Sequence, residues 1–166
     1  PSDWYIGTLV ATDAARDLAV LRITHTIEGR LVRGNQFAPI AEAPDDSLSL
    51  GQPIIGLGYP ALGGTTLTLT RGSMAGYASQ GQTHWGKTDS ELLPGSSGGA
   101  VLDAHGRLVG VITSVMADER TVGRLSYFIL LSDARDLLRQ AAQQPRPHPD
   151  ITSIQALASQ LVSAAP

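Results

Sequence analysis

The chain has 166 residues, 42% of them hydrophobic and 16% charged, with 18 glycines, no cysteine and a formal net charge of -3. That length supports one domain with a sizeable core, and the mild acidity gives no electrostatic footprint for nucleic acid or an anionic membrane. Without cysteine there is neither a disulfide framework nor a thiol nucleophile, and no apolar run approaches the length of a membrane span.

Most predicted elements are strands, and the glycine content fits many short strands joined by tight turns. Trp4 to Thr12 alternates in part and reads as the first strand. The polar turn Asp13-Ala14-Ala15-Arg16 leads into a second, Asp17 to Ile23. Glu28 to Asp46 is irregular, polar and Pro-containing, and Pro53 to Gly58 reads as a buried strand. Thr65 to Ser79 is β-rich, with a hairpin or bend expected at Arg71-Gly72, and residues 84–89 form a short strand. Gly99 to Leu102 and Arg107 to Met116 pair around the turn Asp103-Ala104-His105-Gly106. Arg124 to Leu131 is the last strand, and Ser132 reads as the N-cap of a helix over Asp133 to Gln143. Pro145-Arg146-Pro147-His148-Pro149 is a stiff linker. Beyond it Ile151, Ile154, Leu157, Ala158, Leu161 and Val162 repeat at helical spacing, so an amphipathic helix docked on the same barrel is expected.

Two motifs carry chemistry. The run Pro94-Gly95-Ser96-Ser97-Gly98-Gly99 lies between two strand-like stretches. A serine nucleophile needs a tight turn that exposes its hydroxyl and aims backbone N–H groups at a developing oxyanion. Ser97 has glycines on both sides, which let the backbone turn and approach a carbonyl. Alone, such a cluster reads as an ordinary turn. The second motif is Arg16-Asp17-Leu18-Ala19-Val20-Leu21-Arg22-Ile23, an acidic residue opening an apolar strand. By itself Asp17 would read as a carboxylate satisfied by backbone N–H groups.

Together these motifs resemble the trypsin-like serine proteases, whose triad aspartate heads an Asp-Leu-Ala-Val-Leu-type strand and whose nucleophile sits in Gly-x-Ser-Gly-Gly. The bacterial HtrA/Deg-like branch is the most similar. Thr88-Asp89 followed by Pro94 to Gly99 resembles that branch's nucleophile segment. Gly51-Gln52-Pro53-Ile54-Ile55-Gly56-Leu57-Gly58-Tyr59-Pro60 and Gly106-Arg107-Leu108-Val109-Gly110-Val111 resemble two of its strand segments. The resemblance runs from about residue 5 to residue 142.

It implies an all-β fold, a trypsin-like double β-barrel. This chain would hold the complete second barrel and the last strands of the first, with a C-terminal helix. Residues 1–27 would be those last strands, 28–50 the inter-barrel crossing, 51–131 the second barrel, 132–144 the helix and 145–166 the linker and amphipathic helix. A half barrel exposes open edges and apolar faces, so the remaining strands are expected from another segment, a partner chain or a homo-oligomer.

The implied activity is serine endopeptidase. Ser97 would be the nucleophile, Asp17 the triad acid, and the N–H groups of Gly95 and Ser97 the oxyanion hole. Asp89 would be structural. The primary pocket falls to Glu91 and Leu92 before the nucleophile, and to Thr113, Ser114 and Val115 after it, whose backbone would pair with substrate as an added strand. Glu91 is expected to face solvent, because burying an unpaired charge is costly. Leu92 favours an apolar or small substrate residue. No cofactor and no metal are implied, and the partner is a protein or peptide substrate, not nucleic acid. Members of this branch are commonly exported or membrane-tethered, which implies a bacterial periplasm or cell surface. No signal peptide is visible, although a chain that begins mid-barrel would have lost one.

The chain departs from the family in its histidine. Trypsin-like triads run His, Asp, Ser, and no histidine precedes Asp17. His25, His84, His105 and His148 all read as exposed turn or tail residues, and none is assigned as the base. The base is expected from outside these residues. Two rival readings remain. Gly95-Ser96-Ser97-Gly98-Gly99 also matches the α/β-hydrolase elbow, but an elbow needs a helix directly after its serine. A non-catalytic peptide-binding or regulatory module on the same fold would explain the absent base.

Overall fold

The alternation in the first 26 residues folds as a hairpin. Strands β1 (Tyr5–Asp13) and β2 (Leu18–Thr26) pair antiparallel, with Leu9 opposite Leu21 and Gly7 opposite Ile23. The computed structural model describes residues 5–61, 66–113 and 125–144, and its contacts divide the chain into two units. One holds Pro1–Asp13, Leu18–Pro39 and the chain from Leu137; the other holds Ala14–Asp17 and Ile40–Asp136. Residues 1–4, Ser114, Val115 and the predicted helix of 151–162 lie outside the described residues.

Within the first unit the hairpin stands as a two-stranded sheet with two unlike faces. Strand side chains alternate, so Tyr5, Leu9, Leu21 and Ile23 share one face. That face is open, with Leu9 58% and Leu21 63% exposed. Phe37 meets the Tyr5 ring edge-on at 5.3 Å. The other face is half-buried, and from it Arg22 donates Nη2–H to the Ala141 carbonyl at 2.9 Å. His25, expected to be exposed, is instead buried near the end of β2, and its Nδ1 has no hydrogen-bond partner. The extra residues of β2, which runs to Thr26 rather than Ile23, carry it there.

Asp17 corrects the predicted strand start. It closes the Ala14–Asp17 turn with φ at +54°, and β2 begins one residue later. A short hairpin loop needs positive φ somewhere to match the strand twist, and Asp tolerates the left-handed region better than most side chains.

The second unit is a closed six-stranded barrel. Its strands are β3 (Pro53–Gly58), β4 (Thr68–Gln80), β5 (Thr83–Thr88), β6 (Ala100–Asp103), β7 (Leu108–Ile112) and β8 (Ser126–Leu130). The ring order is β3-β4-β5-β8-β7-β6, every pairing antiparallel, closed by β3 against β6. Ile54, Met74, Val101, Val109, Ile112 and Phe128 fill its interior. The irregular 28–46 stretch contains two short 3₁₀ turns, Gly34–Gln36 and Asp45–Ser47.

Two predicted features change. The bend at Arg71-Gly72 is absent, and β4 runs straight through it. Gly72 serves packing instead, since a Cβ there would stand 2.5 Å from the Ser90 backbone N and 2.6 Å from an Asp89 oxygen. The ladder irregularity falls later, between Met74 and Gly76. Helix α1 (Leu131–Gln143) starts one residue before the expected cap, so Ser132 lies inside its first turn.

The β6–β7 hairpin follows the predicted Asp-Ala-His-Gly turn, built around Asp103. This side chain is fully buried and accepts N–H bonds from His105 (2.9 Å) and Arg107 (2.9 Å) and a contact of 2.7 Å from Arg107 Nε. Burial alone would push its pKa up, but the Arg107 and His105 hydrogen bonds and the Arg107 charge outweigh it, leaving the carboxyl below its usual range.

Candidate active site

The run 94–99 folds as two consecutive tight turns. Ser96 N–H donates to the Leu93 carbonyl at 3.1 Å across Pro94-Gly95, with Gly95 at φ +91°. Gly99 N–H donates to the Ser96 carbonyl at 2.9 Å across Ser97-Gly98, with Gly98 at φ +82°. A positive φ at the third residue is the type II signature, which explains glycine at both places and proline before the first. The Gly98 N–H donates to the Ile112 carbonyl at 2.8 Å, which ties the second turn to β7.

The donors of this run can therefore be accounted for one by one. Proline has no N–H. Those of Ser96, Gly98 and Gly99 are used within the fold. The N–H groups of Gly95 and Ser97 have no acceptor among the described residues. The two serines also differ. Ser97 is exposed, whereas Ser96 is buried against the end of β3. A Cβ on Gly58 would lie 2.7 Å from Ser96 Cβ, and one on Gly95 would lie 2.6 Å from Ala61 N, so the loop sits flush on the chain leaving β3. Gly58→Ala is expected to cost about 1–3 kcal/mol by overpacking, read as a fall in barrel melting temperature.

The surroundings of the loop are equally specific. Glu91 is exposed and Leu92 is buried in the barrel core, its N–H facing the Ser126 hydroxyl at 3.2 Å. Thr113 is half-buried directly after β7. Asp89 accepts the Ser73 N–H at 2.5 Å. A groove of about 470 Å³ lined by Leu48, Tyr77, Val109, Leu130 and Leu131 involves none of residues 94–99.

Asp17 is on a different element, exposed on its turn. No hydrogen bond or ion pair among the described residues joins it to Ser97. Its neighbour Arg16 donates to the Gln82 carbonyl at 3.1 and 3.3 Å and faces Asp133 at 3.6 Å. No described histidine is bonded to Ser97 or Asp17. His25 is buried and unpaired, and His105 lies 3.8 Å from Asp103. His84, read as part of a polar turn, is on β5 with Nδ1 2.8 Å from Asp133. The register sets His84 opposite Ser79 and the loop-bearing Gly58 opposite Thr68, at opposite ends of β4. Sequence spacing carries no signal for the His84–Asp133 pair, whose members come from strand and helix far apart in the chain.

Comparison with known proteins bears on this arrangement. The model of the trypsin-like peptidase domain matches residues 2–111. Protease Do-like 8 of Arabidopsis thaliana chloroplasts is 34% identical over 110 residues, 62% of this chain and 22% of that protein. Serine protease Do-like HtrB of Bacillus subtilis is 30% identical over 145 residues, 81% of this chain and 30% of that protein. The periplasmic endoprotease DegQ of Escherichia coli is 27% identical, with 80% of this chain and 28% of that protein covered. The chain thus spans under a third of these relatives' length. Among solved structures, the HtrA-type protease AlgW with a decapeptide superimposes with a TM-score of 0.69 at 24% identity, covering 84% of this chain and 41% of that one. The closed barrel, the double turn at Ser97 and the matched two-thirds of the sequence lead to one conclusion: the chain belongs to the trypsin-like peptidase family, on its HtrA-like branch.

Proposed function

We propose that the chain is the nucleophile-bearing part of a serine endopeptidase that cleaves protein or peptide substrates. The observation that carries this is the pair of unused N–H groups, Gly95 and Ser97, flanking an exposed serine whose neighbouring donors are all engaged. Ser97 Oγ attacks the scissile carbonyl, and the carbonyl oxygen becomes the tetrahedral oxyanion between those two donors. Each donor is worth about 3–4 kcal/mol of transition-state stabilisation. A histidine from outside these 166 residues, or from a partner chain, takes the serine proton and returns it to the leaving amine. Asp17 holds that histidine in its working tautomer. Water then repeats the sequence on the acyl-enzyme.

The open face bearing Tyr5, Leu9, Leu21 and Ile23 is where the strands that bring the histidine would pack. Thr113 borders the primary pocket with Glu91 at its rim, and Leu92 backs it from within the barrel core; Ser114 and Val115 are assigned to the same pocket by family likeness alone. An extracytoplasmic site of action and assembly into oligomers follow the same branch of the family.

The test is fluorophosphonate labelling of the 166-residue chain and of the longest product its gene encodes, with the modified peptide mapped. The expected result is an adduct on Ser97 in a form that carries the base, and none on the 166-residue chain alone. No adduct in any form, with the barrel folded, overturns the catalytic reading in favour of a peptide-binding or regulatory module.

A further inference from the structure

Besides Asp103, the proposed chemistry leaves a second buried carboxylate unused. Asp133 sits in the first turn of α1 with its side chain 6% exposed. A buried carboxylate is tolerated only where hydrogen bonds and charge replace its water. Its Oδ1 accepts from His84 Nδ1 at 2.8 Å. Its Oδ2 accepts the His84 backbone N–H at 2.6 Å and faces Arg16 Nε at 3.6 Å. Arg16 in turn donates twice to the Gln82 carbonyl. The first turn of α1, the start of β5 and the Ala14–Asp17 turn therefore converge on one carboxylate.

What this convergence fixes is the residue after Arg16. Asp17 is the one described non-glycine residue at positive φ. Such a conformation persists when its surroundings over-determine it, and from that turn the Arg16 guanidinium reaches Gln82 and Asp133. From this geometry we propose that Asp133 and His84 are positioning residues for the Asp17 carboxylate, acting through Arg16. The inference rests on the reading of Asp17 as the triad acid. His84 Nδ1 lies on Oδ1 of Asp133 while Arg16 Nε faces Oδ2, so the ring orients the carboxylate that the guanidinium meets.

The experiment compares the Asp17 amide and side-chain carboxyl signals of the 166-residue chain with those of its variants by NMR at one neutral pH. His84→Gln is expected to shift both Asp17 signals. Asp133→Asn should shift them in the same direction and further, and Arg16→Lys should retain part of what Arg16→Ala loses. Should Asp133→Asn fail to fold, the exposed His84→Gln substitution decides alone. An Asp17 amide indifferent to His84→Gln, while Arg16 and Gln82 signals move, overturns the proposal and leaves a brace for the Ala14–Asp17 turn. Ser97 labelling is scored separately. Labelling lost in every form with the Asp17 response intact counts against the catalytic reading alone, and the reverse pattern counts against positioning alone.

Discussion

Ser97→Ala is expected to lower peptide hydrolysis by on the order of 10⁶-fold in the form that carries the base, because nucleophile and histidine act as one unit and loss of either removes nearly all of their joint effect. A residual rate from the paired backbone donors and substrate binding should survive. The control is the adjacent serine. Ser96 is buried against β3, its N–H is already held by Leu93, and its hydroxyl cannot present itself to a substrate from there. Ser96→Ala should therefore leave the Ser97 adduct in place. The measurement is the turnover of a peptide substrate together with mass mapping of the fluorophosphonate adduct. Equal losses from the two substitutions would mean that the loop, not the Ser97 hydroxyl, had been damaged, and melting temperature separates those cases.

The second large effect is on stability. Asp103→Ala is expected to destabilise the barrel by about 3 kcal/mol, since it removes two hydrogen bonds from backbone N–H groups and the Arg107 contact around a fully buried carboxylate. The pH dependence has a definite sign. The folded carboxyl is more acidic than in the unfolded chain, so its stabilisation is fully present above the unfolded value and is lost as pH falls through the folded one. Thermal melts of the wild type should drop below about pH 4. Asp103→Asn should melt lower at neutral pH and show a shallower acid decline. A mutant with the wild-type acid profile would remove Asp103 from that account.

The residues that read well in the sequence were those whose roles are local. The apolar run of Pro53 to Gly58 and the Asp-Ala-His-Gly turn depend on neighbours a few positions away, and both fold as predicted. Pro94-Gly95 and Ser97-Gly98 also carry their turn chemistry in their own backbone preferences. The misreadings share another cause. Gly72 looked like a bend because glycine usually marks one, but it makes room for Ser90 and Asp89, a contact that exists only once β4 and the loop after β5 have met. Ser132 looked like a cap because the preceding strand hid how early the helix starts. His84 is exposed as expected, but it stands on β5 and its partner arrives from α1. The burial of His25 comes from chain packing that no spacing rule encodes. The candidate nucleophile was thus legible from six consecutive residues, whereas the setting of Asp17 was not, because it is made by side chains from three elements.

Ring closure also sets the order in which the Ser97 loop comes into being. The β3–β4, β4–β5, β6–β7 and β7–β8 pairings join neighbours in the chain, whereas β5–β8 and β3–β6 must bring together distant stretches and bear the loop-closure entropy of doing so. The loop hangs on the last of these joins: Gly99 lies over the Leu57 carbonyl, Ser96 fills the space beside Gly58, and Ala61 N–H holds the Pro94 carbonyl. A chain still folding has its hairpins before it has that surface. The serine is therefore expected to be assembled late, so that a half-folded copy emerging from the ribosome carries the residues of the loop without its shape.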